Sequence, residues 1–104
     1  MELWKPFANT FDAERLTLFC TEHWSVLVRK GQITLGTLVL AANRNFISVS
    51  ELTRDELLEL PEVVSQLEAA LTKAFAYDKI NYLCLMMSDR HYHSHVVPRY
   101  EGAR

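Results

Sequence analysis

The 104-residue chain predicts an α+β domain, an antiparallel sheet of four to five strands with one long and one short helix. Two observations carry this. Short segments with strand-like apolar patterning lie on both sides of one long segment that opens on a helix-start signature and then repeats apolar residues at helical spacing. The final short segments are separated by only a few polar residues, as hairpin strands are.

The elements follow in order. Asp12 to Cys20 predicts the short helix, with Leu16, Phe19 and Cys20 on one side. His23 to Arg29 predicts a strand, because Trp24, Val26 and Val28 alternate with Ser25, Leu27 and Arg29. Lys30, Gly31 and Gln32 make the turn, and a second strand runs from Gly36 to Ala42, closed by Asn43-Arg44-Asn45. Thr53-Arg54-Asp55-Glu56 is a capping box, in which a hydroxyl and a carboxylate each satisfy a free backbone N–H. Pro61 is expected to kink or restart the helix. Beyond it Val63, Val64, Leu67, Ala70, Leu71, Ala74 and Phe75 form one broad apolar face. Lys79 to Met87 holds the run Tyr82 to Met87, apolar on both faces and so expected at the centre of the sheet. Ser88-Asp89-Arg90 predicts a tight hairpin connection, and His91 to Val97 the last strand, ended by Pro98.

Composition bounds the function. With 49% apolar residues, 23% charged residues and a net charge of −2, the chain has no broad electrostatic attraction for nucleic acid or an anionic membrane. No apolar run is long enough to cross a bilayer, and residues 1–11 lack the apolar core of a signal peptide. Cys20 and Cys84 sit in apolar runs without a CxxC pair, which predicts two buried, reduced thiols. The expectation is a soluble, cytoplasmic protein. There is no repeat or linker, so residues 1–104 predict a single domain.

The chemistry concentrates in His91-Tyr92-His93-Ser94-His95-Val96-Val97-Pro98-Arg99-Tyr100. Three of the four histidines occupy alternate positions, and alternate side chains of a strand share a face. The imidazoles therefore point the same way, about 6.5–7 Å apart along the strand. Such a row can be plain surface, can ligate zinc with help from Cys84 or His23, or can be catalytic.

The run resembles the signature of the histidine-triad superfamily, His-φ-His-φ-His-φ-φ with φ apolar, and Pro98-Arg99-Tyr100 matches a common ending of it. Upstream, Thr34 to Leu40 followed by Asn43-Arg44 is similar to that family's strand before its long helix. The Trp24 strand, the capped helix and Asn81-Tyr82 fall in the family's order, so the likeness spans roughly residues 20–100. The resemblance implies a metal-independent nucleotidyl hydrolase or transferase without a cofactor. Its substrates would be dinucleoside polyphosphates or nucleoside phosphoramidates, cleaved at the α-phosphate. Carried over by position, His93 is the nucleophile, His91 fixes its tautomer, and His95 serves the phosphate oxygens and the leaving group. A nucleotide-binding module of the same fold with little turnover is the alternative.

Ser88, Arg90, Arg99, Thr37 and Arg29 are the candidate phosphate- or nucleotide-binding residues. Two of them depart from the family pattern. Thr37 stands where many members carry a fourth histidine, and Arg29 lies near a position where many hold ribose with an aspartate. The resemblance also implies a homodimer that joins two sheets.

Overall fold

The computed structural model describes residues 3–86 and 89–102. Helices α1 (Trp4–Phe11) and α2 (Ala13–Leu16) come first, followed by strands β1 (Thr17–Cys20), β2 (Trp24–Val28) and β3 (Leu38–Ala42). A single 3₁₀ turn, Val49–Glu51, leads into α3 (Arg54–Ala74), and β4 (Lys79–Leu83) and β5 (His93–Arg99) complete the sheet. The five strands lie in the order β1-β2-β3-β5-β4, every pairing antiparallel.

The sheet is covered on both faces. Val63, Leu67 and Leu71 of α3 are buried against Trp24, Val26, Leu38, Leu40 and Val96. On the other face, Phe7 of α1 and Ala13 pack on Leu27, Val39 and Ala41. Alternation within β2 and β3 explains the division, since neighbours in sequence go to opposite faces.

The capping box forms as predicted. The Thr53 hydroxyl accepts from the Glu56 amide at 3.2 Å, and the Glu56 carboxylate accepts from the Thr53 amide at 2.8 Å. Glu56 is buried, and Arg44 donates to it from Nε (3.0 Å) and from a terminal nitrogen (3.1 Å). Burial would raise its pKa, but the bonds from Arg44 and Thr53 outweigh it and hold the carboxyl below its ordinary range. The end of β3 is thereby tied to the start of α3. Trp24 adds a second tie through its indole N–H, which donates to the Glu56 carbonyl at 3.0 Å.

Several sequence expectations are corrected. Residues 12–20 are not one helix: α2 ends at Leu16, and Thr17–Cys20 pairs with β2. Leu16, Phe19 and Cys20 fit helical spacing, but so does the two-residue alternation of Thr17 and Phe19 (half-buried) with Leu18 and Cys20 (exposed). A short segment satisfies both periods, and the open edge of β2 decides. Pro61 does not restart α3, which runs unbroken through it, with Val63 buried just beyond. The lost N–H bond is outweighed by packing on the sheet.

Lys79 to Met87 is not a central strand. β4 ends at Leu83 and forms the sheet edge, with Tyr82 and Leu85 exposed. An apolar run shows that both faces are suited to cover, without showing what covers them. The connection to β5 spans residues 84–92, longer than a tight hairpin, and Met87 and Ser88 lie outside the described residues. β5 also starts later than predicted and passes through Pro98, which pairs with Ile80. The pairing with β3 has already stopped at Val96, so Pro98 lies beyond the end of the β3 ladder. Both cysteines are exposed free thiols, not buried ones.

Candidate active site

Strand register places the triad. Ala41 lies opposite His93, and Val39 opposite His95, so both imidazoles project onto the α1 face. Leu40 lies opposite Ser94, which sends Ser94 to the α3 face, as the alternation predicts. His91 precedes β5, where the pairing continues through the Ala42 amide to the Tyr92 carbonyl at 3.1 Å.

Helix α1 roofs this row. Trp4, Phe7 and Phe11 are spaced i, i+3, i+7, one side of a helix. Phe7 lies 5.0 Å from the His91 ring and 5.1 Å from the His93 ring, centroid to centroid. Phe11 lies 5.5 Å from His93 and 6.3 Å from His95. The side-chain oxygen of Asn45 accepts from the Trp4 amide at 2.9 Å, which ties the start of α1 to the end of β3. Under this roof His91 and His93 are only 1% and 2% exposed, while His95 is half-buried.

Two backbone carbonyls fix two tautomers. A carbonyl only accepts, so the ring nitrogen facing it must carry the proton. His93 Nδ1 donates to the His91 carbonyl at 2.6 Å, which leaves Nε2 with a free lone pair. His91 Nε2 donates to the Ala42 carbonyl at 2.5 Å. His91 thus orients His93 through its main chain. His93 and His95 meet edge to face at 5.1 Å. Burial pushes the pKa of His91 down, with a smaller push from His93 set against the Ala42 hydrogen bond and Asp89. Burial, His93 and Arg29 together lower that of His95. Both rings are held toward the neutral form at pH 7.

A cleft of about 470 Å³ opens over His93 and His95. Thr10 and Phe11 form one wall, Leu85 and Met86 another, with Arg29, Lys30 and Gly31 at one edge and Asp89 also on the lining. The volume falls within the range of small-ligand sites, about 300–1,000 Å³.

Of the residues singled out in the sequence, His93, His95 and Arg29 line the cleft, and His91 stands beside His93. Thr37 does not. Its buried hydroxyl donates to the Thr34 carbonyl at 2.6 Å and accepts from the Thr34 amide at 3.0 Å, so it closes its own loop. Arg90 is exposed and off the cleft. Arg99 sits at the far end of β5, where Nε donates to Asn81 at 2.8 Å. Ser88 lies outside the described residues. Among the described residues no three His, Cys, Asp or Glu side chains are grouped to hold a metal ion. His23 stands by Glu22, 3.9 Å away. The sequence reading missed Phe7, Phe11, Lys30 and Asp89; the spacing of Trp4, Phe7 and Phe11 was the available signal for the first two.

An antiparallel five-stranded sheet, one long helix and a row of histidines at the start of β5 define the class. No family model and no curated protein matches the sequence. Solved structures do. A HIT-like protein involved in cell-cycle regulation from Bartonella henselae superposes with a TM-score of 0.77 at 18% identity, over 95% of this chain and 79% of that one. A HIT family member from Bacillus subtilis gives 0.76 at 21% identity, over 92% and 73%. A hypothetical histidine triad nucleotide-binding protein from Sulfolobus tokodaii gives 0.76 at 23%, over 94% and 70%. The chain has the histidine-triad fold.

Proposed function

We propose that this protein binds a nucleotide conjugate and cleaves the bond between its α-phosphate and the leaving group, with His93 as nucleophile. The observation that carries this is the fixed tautomer of His93: Nδ1–H is held by the His91 carbonyl, and the free Nε2 belongs to a ring that lines the cleft. Nε2 attacks the α-phosphorus, the bond to the leaving group breaks, and a nucleotidyl-histidine forms. His95, held toward the neutral form, donates its N–H as a hydrogen bond to the departing atom, which takes its proton from a water molecule. The hydroxide so formed then attacks phosphorus and breaks the bond to Nε2, which releases the nucleoside monophosphate and restores His93. Backbone N–H groups and imidazole would stabilise the developing charge, with no metal in the sequence of steps.

Rapid-quench trapping with a labelled dinucleoside polyphosphate and a labelled adenosine phosphoramidate tests this. An acid-labile nucleotidyl group on His93 is expected, formed equally well in excess EDTA. Retention of bound nucleotide with no label transfer would support instead a binding module of the same fold. The commitment of Thr37 to its own loop favours that second reading, because Thr37 then does not stand in for the family's fourth histidine. Dependence of labelling on added zinc would overturn the metal-free mechanism.

We also infer a cytoplasmic homodimer. β4 leaves an apolar strand edge open, and an open edge next to exposed Tyr82 and Leu85 is suited to a second copy of the sheet. Analytical ultracentrifugation is expected to give twice the chain mass; a monomer at micromolar concentration would remove this part.

A further inference from the structure

The cleft is electrostatically polar along the triad. Arg29 follows Val28, which faces α3, so Arg29 returns to the triad face two residues beyond Leu27. Leu27, Val39 and His95 form one cross-strand row. The Arg29 backbone is therefore about 10 Å across the sheet and about 6.5 Å along it from that of His95, within reach of an arginine side chain. Its Nε is buried and makes no hydrogen bond among the described residues, while its Nη1 donates to the Gly31 carbonyl. Lys30 lines the same edge. The negative group of the cleft, Asp89, acts on His91 at the other end of the row, whereas Arg29 acts on His95. An anion-accepting donor set thus lies past His95, on the side away from the carboxylate. A single α-phosphate at His93 does not need it, because His95 already stands between.

We propose that Arg29 and Lys30 form a subsite for a second anionic group of the substrate, so that the protein prefers nucleotides carrying a phosphate beyond the scissile one over nucleoside monophosphates and their phosphoramidates. The inference rests on the nucleotide reading of the same cleft. A guanidinium with unused N–H donors matches phosphate oxygens, and a charge-assisted pair of this kind in a partly buried site is worth roughly tenfold or more in affinity. The second phosphate can come from the phosphate chain or from the ribose, and the two place it differently.

Isothermal titration of the full chain at low salt with AMP, ADP, adenosine 3′,5′-bisphosphate, inorganic phosphate and pyrophosphate separates these. The expected result is that ADP or the bisphosphate binds about tenfold more tightly than AMP, the better of the two naming the source. In Arg29→Gln that gap closes while AMP binding stays within about twofold, which also shows that the variant is folded; Arg29→Lys keeps part of the gap. An absent gap in the intact protein, or a gap that survives in Arg29→Gln, would overturn the subsite and leave the nucleotide reading standing. Equal loss of AMP and ADP in Arg29→Gln would also overturn it, by placing Arg29 on the scissile phosphate. If neither nucleotide binds but pyrophosphate exceeds phosphate in an Arg29-dependent way, the subsite stands and the nucleotide reading fails. If nothing binds, both fall.

Discussion

Replacing His93 by alanine is expected to lower turnover of every substrate that the intact protein cleaves by at least about three orders of magnitude, or about 4 kcal/mol of transition-state stabilisation. The reason is positional. His91 points its Nε2–H at the Ala42 carbonyl and lies deeper under Trp4 and Phe7, so it cannot take over at phosphorus. His95 is placed to hydrogen-bond the departing group, and using it as nucleophile would leave that group without a donor. Product nucleotide should still bind, because Phe11 and His95 line the cleft independently of residue 93. The pair of measurements is single-turnover rate and AMP affinity on the same preparation. A variant that keeps near-normal rate ends the nucleophile assignment. One that loses rate and affinity together, with an unchanged melting temperature, would make His93 a binding group instead.

What was legible in the sequence was what is written in local periodicity. The alternation of His93 and His95 gives them a common face on β5, the register with Val39 and Ala41 carries that face onto the sheet, and His91 stands just before the strand. Thr53 and Glu56 announce their helix because the box is a contact between near neighbours. What was not legible depends on partners far away in sequence. The edge position of β4 follows from β5 taking the place beside β3, and the apolar run of β4 says nothing about that. The separation of Thr37 from the site follows from the hydroxyl finding Thr34, three residues off, before any imidazole. Arg99 is adjacent to the motif in sequence, but its side chain turns to β4, where Nε donates to Asn81. Helix α1 had a readable apolar spacing, but only the fold brings it across the triad.

That roof leads to the second large effect. Phe7→Ala is expected to destabilise the protein by about 3–5 kcal/mol, the range for removing a large buried aromatic. Phe7 is 0% exposed and joins Leu27, Val39 and Ala41 below it to Trp4 and Phe11 beside it, at 5.6 and 4.6 Å between centroids. Small domains have only about 5–15 kcal/mol in total, so the variant stands near the edge of folding. Phe7→Leu retains most of the apolar volume and should lose less than about 1.5 kcal/mol, which keeps the test informative if alanine does not fold. The effect should also reach the site. The Phe7 ring covers both His91 and His93, so thinning it should speed modification of these imidazoles by diethyl pyrocarbonate in Phe7→Leu while His23, which stands beside Glu22 and outside the Phe7 cluster, reacts as before. Urea midpoints and site-resolved modification rates measure the two halves. A Phe7→Ala variant within about 0.5 kcal/mol of the intact protein, the scale of a surface change, would mean that α1 does not pack on the triad in solution. Unchanged protection of His93 in Phe7→Leu, with the expected loss of stability in Phe7→Ala, would mean that α1 serves the core and not the site.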